Sequence, residues 1–226
     1  MSLHPLLAVR DSIRNLEKKS GREPNSVKLI AVSKTYPVEN IRKVIELGQL
    51  DLGENKVQEL LLKQAEIPEA RWHLIGHLQT NKVKFIAPFI YMIHSVDSEK
   101  LLNIIQKEAS VNNRSISVLL QIFISGEVTK TGMSADEAKK ILEEASLYPN
   151  IQFCGLMGMA ALTEDYQLIH SQFSGLKKLL NELTSMNGGN VSLTELSMGM
   201  SSDYAIAIAE GATMVRIGSA IFGKRE

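Results

Sequence analysis

The chain has 226 residues, 44% of them apolar and 22% charged, which is ordinary globular usage with enough apolar mass for a full core. Lysine plus arginine balances aspartate plus glutamate, so the formal net charge is zero and no basic excess points to nucleic acid or an anionic membrane surface as a partner. One cysteine excludes an internal disulfide framework, and no apolar run is long enough to span a bilayer.

Residues 1–21 pattern as an amphipathic helix. They carry neither a continuous hydrophobic segment nor a small-residue cleavage site, so they do not read as a signal peptide, and a cytoplasmic location is expected. From residue 27 onward, short apolar runs alternate with helical patterns. The first strand is predicted over Val27 to Ser33. A helix follows with Pro37 near its first turn, apolar residues at Val38, Ile41, Val44 and Ile45, and Gly48 as stop. A very short second strand covers Leu50 to Leu52, and its helix carries Val57, Leu60, Leu61 and Ala65 on one face. The third strand is Arg71 to Ile75, with a short helix around Asn81 to Phe85. The fourth is Ile90 to His94, and its helix runs from about Ser98 to Ala109. The fifth is Ile116 to Ile124. Ser134 and Glu137 then form a capping box ahead of the apolar stripe Ala138, Ile141, Leu142 and Ala145. The sixth strand is Ile151 to Met157, followed by a long helix from about Glu164 to Thr184. Cys154 within that strand reads as a buried thiol. The seventh strand is Leu193 to Leu196, the eighth Thr213 to Ile217, and a helix from Tyr204 to Glu210 joins them.

Strands alternating with helices imply a parallel sheet, and eight such units imply closure into a (β/α)₈ TIM barrel with an extra N-terminal helix. One domain over residues 1–226 is expected. In such a barrel, function gathers where strands end and loops begin. The first strand ends in Ser33-Lys34-Thr35-Tyr36. A lysine there is either a snorkelling strand-end residue or a functional amine. The second ends in Gly53-Glu54-Asn55, the third in Gly76-His77, the fourth in His94-Ser95, and neither histidine alone separates a polar loop residue from a site. The seventh leads through Met198-Gly199-Met200-Ser201-Ser202-Asp203 into a helix, and the eighth through Arg216-Ile217-Gly218-Ser219. Glycine and serine at a helix start offer backbone N–H groups, hydroxyls and the positive dipole end to a phosphate, although serine is also an ordinary helix cap. Paired turns after strands seven and eight are where barrels commonly hold phosphate. A phosphorylated aldehyde would satisfy both the phosphate cup and the strand-one lysine. To attack it, the Lys34 amine must be neutral part of the time, and burial or nearby positive charge would lower its pKa from about 10.4.

Six segments together resemble the pyridoxal-phosphate homeostasis protein family: AVSKTYP (31–37), GENKVQEL (53–60), WHLIGHLQTNK (72–82), GLMGM (155–159), LSMGMSSDY (196–204) and VRIGSAIFG (215–223). The family's barrel is similar to the N-terminal domain of alanine racemase. The resemblance implies pyridoxal 5′-phosphate as cofactor, held as an imine on Lys34. It implies Asn55 on the cofactor face near the imine end, and Ser201, Gly218 and Ser219 on the phosphate with backbone near Met200; His77, at the end of the third strand, is kept as a further cofactor-binding candidate. It places Arg216 against the pyridine nitrogen. Lys56 departs from the family pattern, in which an aromatic residue is common at that place. A guanidinium donates but does not give up its proton, so Arg216 would leave the ring a weak electron sink.

Racemisation by two bases needs an acid/base on each face of the substrate carbon, and the separate domain that supplies the second one in racemases is not expected here. Tyr36, Tyr91, Tyr148, Tyr166 and Tyr204 are assigned to the barrel itself. The expected role is therefore cofactor binding, storage or delivery in pyridoxal phosphate homeostasis, without a dedicated catalytic cycle and without a metal. A low-activity amino-acid racemase, a cofactor-free Schiff-base aldolase and a pure interaction protein are the alternatives. Expected partners are the cofactor and apoenzymes that accept it, and a monomer is expected from solvated helices such as 136–144. Lys82 and Lys84 form a basic run that reads either as a solvated face or as a second phosphate site.

Overall fold

The computed structural model describes residues 4–126 and 131–223. Its eight strands, all parallel to their neighbours, close into a barrel in sequence order: β1 (Lys28–Val32), β2 (Asp51–Glu54), β3 (Arg71–Leu74), β4 (Met92–Val96), β5 (Ile116–Gln121), β6 (Ile151–Met157), β7 (Val191–Ser197) and β8 (Met214–Ile217). Ala31 of β1 pairs with Leu52 of β2 on one side and Ile217 of β8 on the other, which closes the ring. The helices are α1 (Pro5–Lys19), α2 (Val38–Glu46), α3 (Val57–Glu66), α4 (Val83–Ile86), α5 (Glu99–Val111), α6 (Ala135–Glu143), α7 (Tyr166–Leu183), α8 (Tyr204–Ala209) and α9 (Ser219–Phe222). The ends of the expected domain, residues 1–3 and 224–226, lie outside the described residues.

Parallel strands covered by helices are apolar on both faces, and two clusters result. The larger lies between strands and helices and includes Leu29, Ala31, Leu52, Trp72, Ile93, Phe153 and Phe173. The smaller fills the barrel interior with Ile30, Met92, Leu119, Met157 and Met214. Side chains alternate across a strand, so Leu29 and Ala31 face out where Ile30 faces in.

The added helix α1 packs through Leu6, Val9 and Ile13 and buries Glu17. Glu17 accepts from Arg14 (2.7 Å) and from the Val27 N–H (2.7 Å), fixing the entry to β1. Ser12 on α1 meets the Tyr204 hydroxyl at 2.9 Å, so α1 is tied to α8. At α6 the expected capping box is present: Ser134 Oγ accepts from the Glu137 N–H, and the Glu137 carboxylate accepts from the Ser134 N–H.

Two differences from the sequence reading bear on the site. β4 runs from Met92 to Val96 rather than from Ile90 to His94, because Ile90 donates its N–H to Ile86 and belongs to the exit of α4. His94 is therefore interior rather than at a strand end. α8 and α9 are six and four residues long, so the dipole expected at the two Gly-Ser turns is small and their free backbone groups matter more.

Candidate functional site

The chain leaves β1 through a tight turn. Ser33 is buried, Lys34 half-buried and Thr35 exposed. Lys34 lines the cavity at the barrel mouth and is not fully buried. Thr35 has a φ of 70°, which a β-branched residue adopts only under constraint. The constraint comes from a charged cluster between β2 and α3. Buried Lys63 donates from Nζ to the Ser33 carbonyl (2.6 Å), Glu54 Oε1 (2.7 Å) and Glu59 Oε1 (2.7 Å). Ser33 Oγ donates to Glu54 Oε1 (2.7 Å), and the Thr35 N–H donates to Glu59. Burial pushes the Glu54 carboxyl upward against the pull of Lys63.

All eight candidate residues line one cavity of about 520 Å³. Lys34 follows β1, Asn55 follows β2 and His77 follows β3. Met200 and Ser201 follow β7, while Arg216 lies on β8 and Gly218 and Ser219 follow it. These strands are consecutive around the ring, so the residues occupy one arc of its C-terminal mouth. His77 is exposed and its Nδ1 lies 3.1 Å from Asp97 Oδ2. The turn after β7 is shaped by Asp203, which accepts from the Met200 N–H, and by Gly199. Gly199 has a φ of 90°, and a Cβ there would lie 2.5 Å from that of Ala207, so only glycine fits. The N–H groups of Ser201 and Ser202 make no hydrogen bond to another described residue.

Arg216 is 4% exposed and donates to Ser197 Oγ (2.7 Å) and the Gly158 carbonyl (3.1 Å). Burial lowers its guanidinium to about 10, against the pull of Asp203, so it stays charged at neutral pH. A buried cation held by neutral acceptors suits an electron-rich ligand in the cavity.

Several side chains around the site escaped the sequence reading. Glu59 and Lys63 fix the Lys34 turn together with Glu54 from the end of β2, and Gln121 completes the wall beside Met159 of the GLMGM segment, whose methionines the sequence already marks as packing or pocket wall. Their roles depend on which side of a strand or helix each residue faces. None of the five tyrosines lines the cavity. Tyr36 donates to the Gly223 carbonyl (2.6 Å) and stacks on Phe222, while Tyr166 is exposed. Lys82 and Lys84 also stand outside it, with Lys84 over the Phe85 ring. Cys154 is half-buried and burial raises its thiol. No described helix is long and apolar enough to cross a membrane.

Residues 6–226 match the family described as alanine racemase, N-terminal domain. An alanine racemase from Streptomyces lavendulae superposes with a TM-score of 0.73 at 18% identity, covering 97% of this chain and 58% of that one, and shows the shared fold. A pyridoxal phosphate homeostasis protein of Aquifex aeolicus is 40% identical over 223 residues, covering 98% of this chain and 97% of its own length. One from Escherichia coli is 34% identical and covers 99% and 96%. The structure of PipY from Synechococcus elongatus with PLP bound has a TM-score of 0.81 at 37% identity, covering 93% of this chain and all of that one. The chain belongs to the pyridoxal phosphate homeostasis protein family.

Proposed function

We propose that this chain binds pyridoxal 5′-phosphate as an imine on Lys34 and stores or delivers it, serving homeostasis of the cofactor. The observation that carries this reading is the convergence of a lysine amine, a buried arginine and two Gly/Ser turns on one cavity. Its volume suits a small cofactor. When bound, the cofactor supplies an aldehyde and an electron-withdrawing ring.

The chain's own groups divide the work. Ser201, Gly218 and Ser219, with backbone near Met200, hold the phosphate. Asn55 lies near the imine end, and His77, beside Asp97, lines the same cavity. Arg216 donates to the pyridine nitrogen and, keeping its own proton, leaves the nitrogen unprotonated. That restrains carbanion chemistry, and no tyrosine in the cavity lining stands ready as a second base. Both features favour a carrier over a racemase, and the Aquifex aeolicus and Escherichia coli relatives are named as homeostasis proteins. Apoenzymes that require the cofactor are the proposed recipients, and the chain is proposed to act as a monomeric single domain in the cytoplasm.

The test is complementation in a strain lacking its own copy of such a protein. Wild-type chain is expected to restore the normal free pyridoxal phosphate level, and Lys34→Ala to leave it disturbed. Equal restoration by Lys34→Ala would remove the imine from the account.

A further inference from the structure

Polar side chains cross the barrel interior from its floor to the cavity. At the floor, where β2 and β3 begin, Asp51 accepts from Arg71 Nε at 2.8 Å and lies 3.1 Å from His73 Nε2. His73 Nδ1 meets His94 Nε2 at 2.9 Å, and His94 Nδ1 meets Ser197 Oγ at 2.9 Å. Ser197 in turn accepts from Arg216 at 2.7 Å. His73, His94 and Ser197 are fully buried, so these contacts replace water for each of them.

The two ends dictate the direction of every hydrogen between them. A guanidinium only donates and a carboxylate only accepts. Ser197 receives from Arg216, so its own hydrogen goes to His94 Nδ1. His94 must then donate from Nε2 to His73 Nδ1, and His73 from Nε2 to Asp51. Both rings are neutral Nε2–H tautomers. A second proton on His73 would turn His94 into its Nδ1–H tautomer, and that change or a second proton on His94 would aim an N–H at Ser197 and leave the Ser197 hydrogen without its acceptor. Burial acts in the same direction on both rings. Other ionisable groups near the pair, among the described residues, are Lys28, which pairs with Glu195, and Tyr91 against His73.

We propose that Asp51, His73, His94 and Ser197 are positioning residues: a one-way hydrogen-bond chain that orients Arg216 in the cavity from the opposite end of the barrel. The proposal rests on the reading of Arg216 as the partner of the cofactor's ring nitrogen. It differs from a merely structural polar core by fixing two tautomers and by linking the floor residue Asp51 to the ligand.

The experiment is nitrogen NMR of the histidine side chains in the whole chain, followed by pyridoxal phosphate titration. Two histidines are expected as Nε2–H tautomers that stay neutral at a pH where an ordinary imidazole has already taken up its proton. Asp51→Ala is expected to release the His73 tautomer and weaken pyridoxal phosphate binding roughly fivefold, the scale of one lost hydrogen bond. Asp51→Asn, whose Oδ1 still accepts, should keep both tautomers and the affinity. Nδ1–H tautomers in the wild-type chain would overturn the proposal without any variant. Wild-type spectra and affinity in Asp51→Ala would overturn the positioning role alone. Failure of the wild-type chain to bind pyridoxal phosphate would instead overturn the reading of the cavity.

Discussion

Lys63 is the residue on which the Lys34 turn depends. Its ammonium serves two carboxylates and a backbone carbonyl at 2.6–2.7 Å while being almost wholly buried. Removing one member of a buried pair leaves the other charge uncompensated, at a cost of about 3–5 kcal/mol. Glu54 differs, because burial already favours its neutral form. Lys63→Met should therefore destabilise by about 3–5 kcal/mol and loosen cofactor capture. Glu54→Gln, which keeps an acceptor for Ser33 and Lys63, should cost about half as much or less. Urea unfolding of the two variants checks the order, and equal losses would show that the carboxylate charge matters as much as the ammonium.

At the scale of elements, β6 carries the feature least tolerant of change. Its register with β7 shifts between Phe153 and Gly155, and its register with β5 shifts between Val118 and Leu119. Gly155 sits at the irregularity with a φ of 154°, and a Cβ there would lie 1.8 Å from the Glu195 carbonyl oxygen. Gly155→Ala should destabilise by about 2 kcal/mol or more, with a lower melting temperature in calorimetry. A melting temperature equal to wild type would mean that the bulge can move aside. The same bend brings the end of β6, with Gly158 and Met159, to the cavity. The sequence segment GLMGM marked this strand end, and β6 itself was legible from Ile151 to Met157. The bulge was not, because it depends on pairing with two neighbours.

For the molecule as a whole, the barrel was legible because apolar runs and helical patterns alternate eight times. β4 was displaced by two residues because the exit of α4 and the strand share one apolar stretch. The candidate cofactor residues were legible from strand ends and motifs, whereas the interior chain through His73 and Ser197 requires the closed ring to bring β3, β4, β7 and β8 together. That interior also governs the pH response. His73 and His94 are held below the ordinary imidazole range by burial, so the unfolded chain takes up protons that the folded chain refuses. Their stabilisation is complete above about pH 6.5 and is lost as pH falls below it, by up to about 1.4 kcal/mol per unit for each ring. Asp51, held low chiefly by His73 and Arg71 against the opposing effect of burial, adds loss in the same direction at more acid pH. Urea unfolding should give lower stability at pH 5.5 than at pH 7.5, and a flat profile would place protonatable imidazoles in the core.

Imine formation would join the barrel to one amine, that of Lys34. Borohydride reduction of the chain loaded with pyridoxal phosphate, followed by peptide mass spectrometry, tests it most directly. A single pyridoxyl adduct is expected on Lys34, and an adduct on another lysine with Lys34 unmodified would contradict imine formation there.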